Sequence, residues 1–204
     1  MRSHARDFYL GLDLGKLRDS TALVLLERYS TRQGWDPYYL CDVYRWKTVI
    51  RLAERVPLGT SYPAVVERVR AVIDQLAPRG PVHLTVDATG VGQAVVDALR
   101  EAKLKCNLVP VTITGAEHAT RVRGGFAVPK EDLIVGLQMM FSRGDLLAPA
   151  KLPLRTEMMN ELLKMGRNLR AIGSGHDDLV LALSLAAWTQ RENKTVGERD
   201  QRII

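Results

Sequence analysis

Apolar and polar positions change period along the chain, and each change marks an element. Residues 8–13 (Phe-Tyr-Leu-Gly-Leu-Asp) and 21–27 (Thr-Ala-Leu-Val-Leu-Leu-Glu) are apolar runs of strand length. A third run, rich in Tyr, Val and Trp, covers about 38–46 after a turn at 34–37. The short turns between them predict an antiparallel meander. Past a proline-bounded break at 57–63 the period lengthens. Val65, Val66, Val69, Val72, Ile73 and Leu76 recur at helical spacing and form a core-facing stripe. Strand 83–87 (His-Leu-Thr-Val-Asp), a helix over 93–103 and strand 108–113 follow, and this alternation implies parallel pairing. Residues 114–126 are polar and contain glycine, which predicts a loop. Pro129 suits the first turn of a helix whose N-terminal turn carries Glu131 and Asp132 and whose buried face carries Leu133, Leu137, Met140 and Phe141. A short edge strand at 146–148, a helix from Pro153 to about Met165 and an alanine- and leucine-rich helix over 179–190 complete the pattern. The expected architecture is α/β: a mixed sheet of five or more strands, an antiparallel meander and then parallel strands, flanked by helices. One domain over 1–192 is expected, followed by a mobile polar tail over 193–204.

Carboxylates punctuate this pattern. Asp13 ends the first strand, Asp87 ends a central strand, and Asp177 with Asp178 opens the last helix. Ligands bind at the carboxyl ends of strands in open α/β sheets. Carboxylates gathered there repel one another unless a cation intervenes. Hard divalent ions prefer oxygen donors, and a pair of them suits phosphodiester hydrolysis. Taken singly, each aspartate has an ordinary structural role as a turn former or helix N-cap. The combination is what points to chemistry.

Composition narrows the field. A chain of 204 residues, 46% hydrophobic and 25% charged, can bury a substantial core. The formal charge of +6 is compatible with a polyanionic partner. Cys41 and Cys106 lack the spacing of a zinc knuckle or disulfide framework. No apolar run is long enough to span a bilayer. Basic candidates for holding a phosphate backbone are Lys16 and Arg18 beside Asp13, Arg121 and Arg123 in the glycine-containing loop, Lys130, and Lys164, Arg167 and Arg170 ahead of the last motif. His176 is a capping residue or a contact to phosphate or metal-bound water.

Four segments together resemble the nuclease domain of terminase large subunits from tailed bacteriophages: Leu-Gly-Leu-Asp-Leu-Gly (10–15), Val-Asp-Ala-Thr-Gly-Val-Gly (86–92), Val-Pro-Lys-Glu-Asp-Leu (128–133) and Gly-His-Asp-Asp-Leu-Val-Leu-Ala-Leu (175–183). Their order and spacing match over nearly the whole chain, and the last is the most specific. The resemblance implies an RNase H-like fold akin to Holliday-junction resolvases. It further implies hydrolysis of double-stranded DNA with two Mg²⁺ or Mn²⁺ ions. Asp13, Asp87 and Asp178 carry over as metal ligands and catalytic residues, with Asp177 as a fourth or alternative one. It also implies an ATPase motor, a portal and a small terminase subunit as partners in the host cytoplasm. The chain has no GxxxxGK[ST] loop, so an isolated monomeric nuclease domain or a split gene is expected. A junction resolvase would use the same carboxylates. An actin-like or sugar-kinase ATPase needs more chain, and an inert DNA-docking domain has no use for clustered negative charge.

Overall fold

The computed structural model describes residues 5–15, 20–90, 92–167 and 177–200, with side chains placed except at 166–167 and 194–200. The central strand β1 (Arg6–Asp13) turns Phe8, Leu10 and Leu12 toward one face of a sheet and Tyr9, Gly11 and Asp13 toward the other. Helices cover both faces, which is why the run is apolar throughout rather than alternating. On one side of β1 lie β2 (Thr21–Asp36) and β3 (Cys41–Val56), each antiparallel to its neighbour. On the other lie β4 (Val82–Asp87) and β5 (Asn107–Thr114), both parallel. The valine stripe of α1 (Tyr62–Leu76) and α2 (Gly92–Glu101) pack against Phe8, Leu10, Leu12, Leu84 and Val86. The opposite face carries α3 (Lys130–Ser142), α4 (Arg155–Arg167) and α5 (Asp178–Asp200). From Asp178 to Gln190, α5 is buried on every side, so its sequence has almost no polar face.

The meander and the parallel half are as expected, and the eight described strands fit the expected five or more. Residues 114–126, expected as a loop, contain β6 (Thr120–Val122) and the start of β7 (Gly125–Pro129), which form a tight hairpin through Arg123 and Gly124. Gly124 adopts φ +84°, a conformation that glycine takes without steric cost. β8 (Leu146–Leu147) adds to β3, giving eight described strands in the order β6-β7-β5-β4-β1-β2-β3-β8. The third strand was expected over 38–46 and instead spans 41–56. Its turn lies at 37–40, not 34–37, and Asp36 Oδ1 fixes it by accepting the Tyr38 and Tyr39 N–H groups at 2.8 and 3.1 Å. Pairing with β1 ends at Tyr29, so beyond it β2 and β3 form a two-stranded ribbon solvated on both faces. No alternation is required there, and none signals the strands. The last helix, expected over 179–190, continues through Asp200. No described helix is long and apolar enough to cross a membrane.

At the start of the sheet, His83 stacks on Tyr9 with centroids 4.9 Å apart and lies within reach of Asn193. Burial lowers its pKa from the ordinary value of 6.5, and the nearby Asp7 only partly opposes this. The folded protein therefore binds this proton less readily than the unfolded chain. Stability contributed by neutral His83 is complete above pH 6.5 and is lost as pH falls through the folded-state value. The melting temperature of wild type is expected to decline across that window more steeply than that of His83→Gln. Parallel melting curves would overturn this.

Candidate active site

Strand register brings the first two carboxylates together. β1 and β4 are parallel with Leu12 opposite Val86, so one residue later Asp13 and Asp87 end adjacent strands. Alternation places Asp13 on the side of Tyr9, and Asp87 on the side of Thr85, whose hydroxyl meets Thr189 of α5 at 2.7 Å. Both strands thus deliver their carboxylates toward α5.

That helix is seated by Gly11. A Cβ at Gly11 would lie 1.9 Å from the Ala182 carbonyl oxygen, so only glycine admits so close a crossing. From this contact, four residues back along a helix is about 6 Å and two residues forward along a strand is about 6.6 Å. Asp178 and Asp13 therefore finish level with each other. Asp177 is the N-cap, its carbonyl accepting the Leu181 N–H at 2.9 Å. Gly92 plays a similar part at α2, where a Cβ would strike the Asp87 carbonyl oxygen at 2.2 Å.

The electrostatics record the convergence. Asp13 is 8% exposed, and its pKa is held well above the usual carboxylate range. Burial is the main cause, followed by the charges of Asp87, Asp177 and Asp178, with Lys130 opposing. Lys130, at the start of α3, reaches Asp177 Oδ2 at 3.2 Å. Asp87 also performs the ordinary turn role, accepting the Thr89 N–H at 2.8 Å.

Two members were not expected from the sequence. Arg55, near the end of β3, donates from Nε to Asp178 Oδ2 and from Nη2 to Asp178 Oδ1, each at 2.9 Å. The same Nη2 donates to Glu161 of α4. Glu161 is 6% exposed and its pKa is pushed up to about 7, first by burial, although the Val180 N–H donates to it and Arg55 lies alongside. It was legible in principle. Met158, Glu161, Leu162 and Met165 follow i, i+3, i+4, i+7, so an acid interrupts a buried stripe. Arg55 was hidden because the expected strand stopped short of it.

Five acids (Asp13, Asp87, Asp177, Asp178 and Glu161) thus face two bases (Arg55 and Lys130), a formal balance of 2 − 5 = −3. Among the described residues, no three acidic, histidine or cysteine side chains already stand in coordinating geometry. Arg55 and Lys130 engage two of the aspartates instead. The donor set, all oxygen and deficient in positive charge around a buried carboxylate, fits a hard divalent cation.

Of the basic candidates, Arg121 lies exposed on β6 and Arg123 at the following turn. Arg123 lines a cavity of about 290 Å³ with Gln93, Arg100, Phe126 and Ala88, the residue after Asp87. Lys164 is exposed on α4. Lys16, Arg18, Arg170, His176 and the Arg167 side chain lie outside the described residues.

Among solved structures with a similar fold, the large terminase nuclease from thermophilic phage G20c, determined with bound zinc, superposes with a TM-score of 0.50 at 21% identity, covering 93% of this chain and 83% of that one. A nuclease domain of the large terminase subunit of bacterial virus Sf6, with manganese and β-thujaplicinol, gives 0.51 at 11% identity, covering 91% and 87%. The chain has the RNase H-like fold of a large-terminase nuclease. The likeness extends to sequence. The large terminase subunits of Thermus phage G20c and Thermus virus P23-45 are each 26% identical over 140 residues, 67% of this chain. The chain's match spans 25% of the length of those relatives. No protein-family model matches the chain. In the terminase nuclease fold seen here, the carboxyl edge of β1 and β4, the start of α5, and α4 supply the acids, while β3 and α3 supply the bases.

Proposed function

We propose that this domain is a metal-dependent endonuclease that cuts double-stranded DNA during packaging of a phage genome. One observation carries the reading: aspartates distant in sequence surround a buried Asp13 at the sheet edge where α/β enzymes bind ligands. Asp13, Asp87, Asp177 and Asp178 would hold two Mg²⁺ or Mn²⁺ ions. Asp177 is the more available of the last pair, since Arg55 engages both oxygens of Asp178. The chemistry such ions supply is Lewis-acid stabilisation of the attacking and departing oxygens in an in-line displacement.

The chain's own residues frame that reaction. Burial of Asp13 keeps the site in a medium where charge interactions are strong. Lys130 and Arg55 fix the orientation of Asp177 and Asp178. Arg121, Arg123 and Lys164 would hold backbone phosphates without reading sequence. The reading extends by likeness to a motor ATPase, a portal and a small terminase subunit as partners in the host cytoplasm, and to a monomeric state for the domain alone.

The purified domain is expected to nick and linearise plasmid DNA with Mn²⁺ or Mg²⁺ and to be silent in EDTA. Linear duplex should be cut at least as well as four-way junctions. Mn²⁺ should bind in calorimetry without DNA and raise the melting temperature. Activity in EDTA would overturn the metal-dependent reading, whereas no cleavage and no metal binding would leave a docking domain as the better description.

A further inference from the structure

At the opposite end of β1 lies a second charged site of opposite sign. Glu27 of β2 is 4% exposed and receives three guanidinium groups: Arg6 Nη1 at 3.0 Å, Arg51 Nε at 2.6 Å and Arg79 Nη2 at 3.7 Å. One partner suffices to offset a buried carboxylate, and three leave a formal excess of 3 − 1 = +2. They line a cavity of about 390 Å³, and no second acid lines it. Two of the arginines are also braced by rings, Arg79 over Phe8 at 5.2 Å and Arg51 over Tyr29 at 6.0 Å. Bracing reduces the rotamer entropy lost when a ligand binds. Each guanidinium has five N–H donors, far more than Glu27 can accept. Their side chains remain 42%, 46% and 51% exposed, so the heads stay reachable from solvent.

We propose that this cavity is a phosphate-binding site separate from the acidic edge. Convergent guanidiniums match a phosphate group's geometry as well as its charge. Arg6 begins the strand that Asp13 ends, which separates the two sites by about 23 Å along β1. A phosphate bound here is therefore not the one at the carboxylates. The ligand is either a free oligophosphate or a backbone phosphate of DNA. The site stands whether or not the carboxylates hydrolyse anything.

The test is made in EDTA, on the full chain. Inorganic pyrophosphate is titrated by calorimetry, and a fluorescein-labelled duplex is titrated by anisotropy over a range of KCl. Arg51→Ala and Arg79→Ala are expected to weaken at least one probe's binding tenfold or more. If only pyrophosphate binding falls, the ligand is a free phosphate. If duplex binding falls and the slope of log K against log salt drops by about one per arginine, it is DNA backbone. Should Arg51→Ala fail to fold because Glu27 is stranded, the Glu27→Gln/Arg51→Ala pair removes that charge and is read the same way. If wild type and folded variants bind both probes alike, or wild type binds neither up to about 10 mM pyrophosphate and at low salt, the proposal is overturned.

Discussion

Asp13→Asn is expected to make the metal-free protein more stable and the enzyme inactive. The wild-type carboxylate is buried among three other acids, and the causes that raise its pKa are costs of its charge. An amide of the same shape removes that charge and can donate to a neighbouring carboxylate. The gain should be on the order of 1 kcal/mol, roughly 2–4 °C in melting temperature for a domain of this size. Plasmid cleavage with Mn²⁺ should fall by roughly 10³-fold or more, the scale of losing a group that stabilises transition-state charge. The thermal shift produced by Mn²⁺ should shrink with it. Opposite signs for stability and activity are the signature of a functional site. A variant less stable than wild type in EDTA, or one that keeps the Mn²⁺ shift, would place Asp13 in a structural role.

The second large effect belongs to Gly11. In a strand interior, alanine is ordinarily favoured over glycine by about 0.5–1 kcal/mol. Here the added methyl would sit 1.9 Å from the Ala182 oxygen and 3.0 Å from the Ala186 nitrogen, both backbone atoms of a buried helix. The clash decides the sign. Overpacking costs about 1–3 kcal/mol, and a lifted α5 also carries Asp177 and Asp178 away from Asp13. Gly11→Ala should therefore lower both the melting temperature and the affinity for Mn²⁺. Gly34→Ala is the control, because nothing lies within 4 Å of a Cβ there. Wild-type values for Gly11→Ala would mean that the close crossing does not hold the two halves of the site in place.

What the sequence revealed follows from where burial imposes a period. The valine stripe of α1 and the apolar runs of β1 and β4 were readable because each must face a core. The aspartates were readable because they stand where those runs stop. The ribbon of β2 and β3 faces solvent on both sides, so its sequence carries no such constraint, and its limits were missed. Arg55 was missed with them, as the charge that engages Asp178 lies beyond the expected end of β3. Glu161 was a different failure. Its helix was expected, but the acid on its buried stripe was not read as an anomaly. The β6–β7 hairpin was passed over as loop because three exposed residues, Thr120 to Val122, give no alternation to count.

The order in which these parts leave the ribosome has a further consequence. Asp13 is translated more than 160 residues before Asp177 and Asp178. The helix that seats on Gly11 follows every other described element, so the central strands remain uncovered on one face until it arrives. A nascent or truncated polypeptide ending before Asp177 has three of the five acids and no lid over Tyr9 and Val24. It cannot assemble the acidic edge. The acidic edge therefore forms only after that helix has been made.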